Sequence, residues 1–192
     1  MSQLRVVGIA GSLRRGSLNR SLLRAALELA PADLQIDIHD LADIPLYNQD
    51  VEDAGAPDAV VRLREAVGSA HGLLIATPEY NHGVPAVTKN TVDWLSRPPK
   101  RTVLNGKPVA IMGASPGLGG TARCQSQLRL SFVFTNSPVL LQPEVLVRQA
   151  AGKFDASGRL TDQPTREVLG QFLQQFVAWI RRFSDQAASV QM

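Results

Sequence analysis

The sequence predicts an α/β domain built on one open, doubly wound, parallel sheet of five strands. Three observations lead there. Short, uniformly apolar segments alternate with amphipathic helical segments from one end of the chain to the other, and uniformly apolar strands belong to parallel sheets covered on both faces. Five such strands in 192 residues suit an open sheet better than a closed (β/α) barrel. No internal repeat and no shift of composition marks a second domain, so residues 1–185 read as one unit and 186–192 as a flexible tail.

The elements follow in order. LRVVGI (4–9) is short, apolar and β-branched, and a glycine-containing turn ends it, as for a buried central strand. NRSLLRAALELA places Leu22, Leu23, Ala26, Leu27 and Ala30 at helical spacing, and Pro31 stops it. LQIDIH (34–39) alternates as a strand. DAVVRLREAVGSA, after Pro57, repeats Val60, Leu63 and Val67, a helix with proline at its start. GLLIAT (72–77) is a third strand, VPAVTKNTVDWL a helix ended by Pro98-Pro99, and PVAIMGA (108–114) a fourth strand. A glycine-rich turn, SPGLGG, leads into a helix through TARCQSQLRLSFVF, and PEVLV supplies the last strand. Leu169, Phe172, Leu173, Phe176, Val177, Ile180 and Phe183 then keep a 3.6-residue period in the last helix. RPPKRTVLNGK (97–107) reads as a linker within the domain, and AGKFDASGRLTDQ (151–163) as an ordered loop with a turn at 155–158.

Composition removes several function classes. Apolar residues make up 44% and charged residues 19%, as in a globular protein. No apolar run approaches the roughly 18 residues that span a bilayer, and the N-terminus enters a strand pattern directly, without a secretory leader. A net charge of +3 with no Lys/Arg run gives nucleic acid no footing. The single cysteine, Cys124, allows no internal disulfide and no CxxC pair; within a helix it reads as a small packing residue. A cytoplasmic location is expected.

In open α/β sheets ligands bind beyond the carboxyl ends of the strands, where the winding reverses. Three loops qualify: AGSLRRGSLN, PEYNHG and SPGLGG. The first joins a strand to a helix, so backbone N–H groups and the positive helix end face its ligand. Ser12, Ser17 and Asn19 add hydroxyl and amide donors, and Arg14 and Arg15 add charge. This is a phosphate cradle without the GK[ST] of a P-loop, and Gly8, Gly11 and Gly16 do not have GxGxxG spacing. In the second, Pro78 stiffens the strand exit and Tyr80 is suited to lie beside a planar ring. Glu79 alone would suggest proton transfer, yet no partner carboxylate or histidine is spaced to assist it. His82 reads as a polar rim residue, and no spacing of His, Cys, Asp or Glu makes a metal site. SPGLGG brings backbone close to a ligand, with Ser115 offering a hydroxyl. Trp94 and Trp179 read as helix anchors on apolar faces, and both are candidates for a subunit contact.

With these residues in place, the sequence resembles the NADPH-dependent FMN reductase family of flavodoxin-like proteins, in particular its bacterial quinone and chromate reductases. GSLRRGSLN (11–19), IPLYNQD (44–50), TPEYNHGVPAVTKNTVDWLSRP (77–98) and GGTARCQSQLR (119–129) carry the resemblance, in family order. It implies a flavodoxin-like sheet of order 2-1-3-4-5 and bound FMN. The phosphate would lie against Ser12, Arg14, Ser17, Leu18 and Asn19. The ring edge would meet Pro78, Glu79, Tyr80 and Asn81, mostly through backbone, and Ala114 and Ser115 would line the other side. It further implies ping-pong reduction of a quinone, and of chromate, azo dyes or free flavin, by NADPH or NADH, with no essential catalytic side chain. A dimer or tetramer is expected, because Leu128, Leu130, Phe132, Val133 and Phe134 put apolar groups on more than one side of their helix. A flavodoxin-like carrier of single electrons, without NAD(P)H activity of its own, is the alternative; carriers of that kind are usually strongly acidic, and this chain is not. A flavin-free receiver domain would need an acidic pocket in the first loop, which AGSLRRGS lacks.

Overall fold

The computed structural model describes residues 3–189. Five strands, β1 (Leu4–Ala10), β2 (Leu34–His39), β3 (Gly72–Ala76), β4 (Val109–Ala114) and β5 (Val145–Val147), form one all-parallel sheet. Its order is β2-β1-β3-β4-β5. The chain therefore winds outward from β1 to β2, then returns to the other side of β1 for β3. That reversal puts the switch point between the carboxyl ends of β1 and β3.

The described residues hold the α-helices α1 (Leu18–Leu29), α2 (Gln49–Asp53), α3 (Asp58–Ser69), α4 (Ala86–Leu95), α5 (Ala122–Leu130) and α6 (Gln163–Ser189), and all but the short, exposed α2 cover the sheet. The period-2 alternation of each strand divides its side chains between two cores. Leu4, Val6, Leu74 and Ala76 face α1 and α6, where they meet Leu22, Leu23, Phe172 and Phe176. Val7, Ile9, Leu73 and Ile75 face the opposite way, toward Leu63, Val67, Val92 and Leu128 of α3, α4 and α5. Each large apolar side chain buried in this way contributes about 1.5–3 kcal/mol, which is why the apolar pattern alone was enough to place the strands.

The structure departs from the sequence reading in a few places. The short helix α2 was not expected; Asn48 starts it by accepting a hydrogen bond from the Asp50 amide at 2.9 Å. Residues 97–107 are more than a linker: they hold a 3₁₀ turn at Pro99–Arg101, and Leu104 is fully buried. Helix α5 stops at Leu130, and residues 131–136 continue as turns. Helix α6 extends to Ser189, so the backbone is helical over the first part of the 186–192 segment; residues 190–192 lie outside the described residues.

Trp94 corrects the expectation of a subunit contact. It is completely buried and donates its indole N–H to Pro45 O at 2.7 Å. Asn90, one turn earlier on α4, donates to the same carbonyl and accepts from Tyr47 N at 2.7 Å. Tyr47 packs edge-on to Trp94, with ring centroids 4.9 Å apart. The IPLYNQD segment is thus latched along α4, and Trp94 holds it from inside the subunit.

Candidate functional site

The loops after β1, β3 and β4 converge on one cleft. Ser12, Arg14, Ser17, Leu18, Asn19, Pro78, Glu79, Tyr80, Ala114 and Ser115 all line it. The sequence reading missed Pro116, which joins them; its one signal was its place next to Ser115 in the glycine-rich loop. Asn81 stands apart, exposed at the tip of the hairpin and outside the cleft lining.

The first loop is built to receive an anion. Ser17 is the N-cap of α1, and its hydroxyl accepts from Arg20 N at 3.3 Å. That leaves the amides of Leu18 and Asn19 at the positive end of the helix, together with those of residues 12–16. None of these amides has a protein acceptor among the described residues. Ser12 and Ser17 are buried at the cleft floor, Arg14 is exposed at its edge, and Arg14 takes part in no salt bridge among the described residues. Backbone donors, hydroxyls and one arginine around a helix N-terminus fit a phosphate.

Asn19 has a structural task beside the one expected of it. Its carboxamide is buried and paired with one residue: Nδ2 donates to Ala114 O at 2.9 Å, and Ala114 N donates to Oδ1 at 2.9 Å. The side chain ties the start of α1 to the end of β4, with its second Nδ2–H and the backbone N–H of Asn19 left for a ligand. The sequence showed an amide donor in a phosphate loop; the partner, 95 residues away, was invisible to it.

The second loop is a tight hairpin. Tyr80 and Gly83 exchange backbone hydrogen bonds at 3.3 and 2.9 Å, and Asn81 and His82 between them have φ of 50° and 62°. Two successive left-handed residues make a type I′ turn, and Asn and His are among the side chains that tolerate that region best. Gln127 of α5 donates to His82 O at 3.3 Å and supports the turn from below. Glu79 turns inward: Oε2 accepts from Cys124 N at 3.0 Å, and Oε1 lies 3.6 Å from Arg123. A carboxylate on the first turn of α5 is stabilised by the helix dipole and by that free N–H. Glu79 therefore clamps the hairpin to α5. Tyr80 is half exposed, and its hydroxyl sits 3.4 Å from Ser12 Oγ, bridging the first and second loops.

Below the cleft, Thr77 Oγ1 meets Thr88 Oγ1 at 2.9 Å and Cys124 Sγ at 3.7 Å. Burial, more than its neighbours, pushes the Cys124 thiol up to about 11, so it is a neutral packing group at physiological pH. Two glycines let the backbone close down here. A Cβ on Gly11 would overlap Thr88 Oγ1, and one on Gly113 would overlap Thr77 O and Thr121 Oγ1. In the third loop Ser115 accepts from Gly117 N at 3.2 Å, and its own amide continues the pairing to Val147 O. The hydroxyl therefore shapes the loop before it meets any ligand.

The comparisons with known proteins agree on one family. The family model described as NADPH-dependent FMN reductase matches residues 4–152, which contain all three loops. The chain is 48% identical over 179 residues to an NAD(P)H-dependent FMN reductase of Pseudomonas aeruginosa, covering 93% of this chain and 96% of that one. It is 42% identical over 183 residues to a quinone reductase of Escherichia coli K12, covering 94% and 97%. Among solved structures, FerB of Paracoccus denitrificans, a flavoenzyme NAD(P)H:(acceptor) oxidoreductase, superposes with a TM-score of 0.86 at 34% identity, covering 94% and 98%.

Proposed function

The chain belongs to the NADPH-dependent FMN reductase family, and from that premise we propose that it is an FMN-dependent NAD(P)H oxidoreductase whose acceptors are quinones. One observation carries the reading: three loops from the carboxyl ends of β1, β3 and β4 close a single cleft, with a phosphate cradle on one side and a rigid backbone hairpin on the other. The relatives named quinone reductase, and the 2-hydroxy-1,4-benzoquinone reductase of a Burkholderia species at 40% identity over 178 residues, favour a quinone as acceptor.

The protein's own part is positioning. The amides of Leu18 and Asn19, the hydroxyls of Ser12 and Ser17 and the Arg14 guanidinium would hold the FMN phosphate. The backbone of Pro78 to Tyr80, fixed by the Glu79 clamp, would meet the ring edge, and Ala114 and Ser115 would close the other side. FMN, when bound, supplies the two-electron redox chemistry by which NAD(P)H is oxidised and the quinone, with uptake of a proton, becomes a hydroquinone. Glu79 is committed to α5 and Cys124 to the core, so no side chain of the cleft is assigned a proton-transfer role. Both substrates would use the same open side of the cleft in turn.

The reading extends to setting and assembly. No helix among the described residues is long and apolar enough to cross a membrane; a cytoplasmic location is proposed because the reaction draws on the NAD(P)H pool. Leu130, the last residue of α5, and Val133 and Phe134, in the turns after it, are 72%, 69% and 71% exposed. This apolar patch favours self-association, as a dimer or a tetramer.

The test is steady-state turnover on protein of measured flavin content, with NADPH and NADH against a panel of quinones, chromate, an azo dye and free FMN. Quinone turnover with parallel double-reciprocal lines is expected. Bound FMN with no turnover would overturn the enzyme reading in favour of a single-electron carrier.

A further inference from the structure

A second cavity lies directly across the β1–α1 connection from the cleft. Ala10 and Arg20 line it, whereas Ser12 and Asn19 line the cleft, so one loop separates the two. It opens at the carboxyl end of β2, with Ile38 and Leu41 as an apolar wall and Arg20, Arg24, His39 and Asp40 around them. Its volume is about 230 Å³, less than the ~300–1,000 Å³ that encloses a drug-sized ligand. It suits one end of a larger molecule.

The charges are unequal. Arg20 is paired with Asp40 at 2.8 Å. Arg24, one helical turn further on, has no carboxylate partner among the described residues; it donates only to Ser21 Oγ, at 3.1 Å. Ile38 is half exposed although it sits on a strand. An unpaired guanidinium beside exposed apolar surface is complementary to a planar ring that carries an anionic group, because arginine both stacks on rings and binds phosphate oxygens in pairs.

Of the molecules in the proposed reaction, FMN would place its phosphate in the first loop and a quinone carries none. NADPH has a phosphate monoester beside a purine, and NADH lacks it. We propose that this cavity receives the 2′-phosphoadenosine end of NADPH, with Arg24 as the residue that selects NADPH over NADH. The inference rests on the reading of the neighbouring cleft as the site of NAD(P)H oxidation. A nicotinamide over that cleft and a phosphoadenosine here would make the dinucleotide span the β1–α1 loop.

The experiment uses the FMN-loaded protein and two probes, adenosine 2′,5′-bisphosphate and adenosine 5′-monophosphate, titrated by calorimetry. The bisphosphate is expected to bind at least about tenfold more tightly, and Arg24→Gln to remove most of that advantage while leaving the monophosphate unchanged. In turnover, Arg24→Gln raises KM for NADPH about tenfold and leaves KM for NADH, kcat and flavin content as they were. Arg24 is exposed, and an unchanged thermal midpoint confirms that the variant folds. Equal binding of the two probes, or bisphosphate binding that survives Arg24→Gln, overturns the assignment. Arg24-dependent bisphosphate binding in a protein that turns over no acceptor supports the cavity and refutes the enzyme reading. Turnover without bisphosphate binding does the reverse.

Discussion

Replacing Asn19 by alanine separates two roles for the same side chain. If the carboxamide were a phosphate donor, the apoprotein would be indifferent to its loss, and only FMN retention would fall. The structure spends both ends of it on Ala114, at 2.9 Å each. Asn19 and Ala114 are each 2% exposed, so Asn19→Ala leaves a buried N–H and a buried C=O without partners. Each such group costs about 1–3 kcal/mol. Water entering from the cleft satisfies part of the deficit, so the lower half of the combined range, about 2–4 kcal/mol, is expected. At roughly 2–4 °C per kcal/mol for a chain of this length, the apoprotein should melt about 4–16 °C lower. Asn19→Asp is the companion variant: it keeps an acceptor for Ala114 N but sets a carboxylate oxygen against Ala114 O, and it should also destabilise the apoprotein. The assay is urea and thermal unfolding of flavin-stripped protein, followed by FMN titration. An Asn19→Ala apoprotein as stable as its parent, with FMN affinity reduced, would refute the tether and restore the donor.

The remaining predictions follow from packing and charge. Gly113→Ala should cost about 1–3 kcal/mol or more, because its methyl overlaps a backbone carbonyl, Thr77 O, as well as Thr121 Oγ1; a thermal midpoint within a degree of the parent would refute the close approach. Cys124 should resist iodoacetamide at pH 8 in the native protein and react once urea unfolds it. Its folded-state value of about 11 lies above the ordinary 9.0, so the native state keeps the proton longer. This thiol's contribution to stability is therefore complete below pH 9 and lost as pH rises toward 11, which unfolding curves at pH 8 and 10.5 will show. Leu130→Ser with Phe134→Ser should shift light scattering toward the 20.7 kDa monomer without lowering monomer stability by more than about 0.5 kcal/mol; a parent that is itself a monomer would refute self-association through this patch.

What the sequence made legible depended on the range of the interaction. The apolar period placed every strand, and the last helix keeps its predicted buried face from Leu169 to Ile180, because burial of a face is a local pattern. The loops of the cleft were legible for a topological reason: polar residues at the carboxyl ends of β1, β3 and β4 have no use in the core, and the sheet order sends all three ends to one place. What each side chain does there was not legible. Asn19 and Glu79 are polar residues in a ligand loop by sequence, yet their partners are Ala114 and Cys124, 95 and 45 residues away. Both bonds are to backbone groups, which every residue carries, so no partner's identity could have announced them. Trp94 misled for a related reason: its ring had to find an acceptor for the indole N–H, and the acceptor was the carbonyl of Pro45. The pattern has a consequence for the cleft itself. Tethers from Asn19 to Ala114, Glu79 to Cys124 and Tyr80 to Ser12 join the first loop to β4, the hairpin to α5 and the hairpin to the first loop. Each loop is held by another element of the site, so a substitution that frees one should loosen the others. Flavin retention should then fall more in paired variants of these tethers than the single losses predict, as expected of groups that act through a shared network.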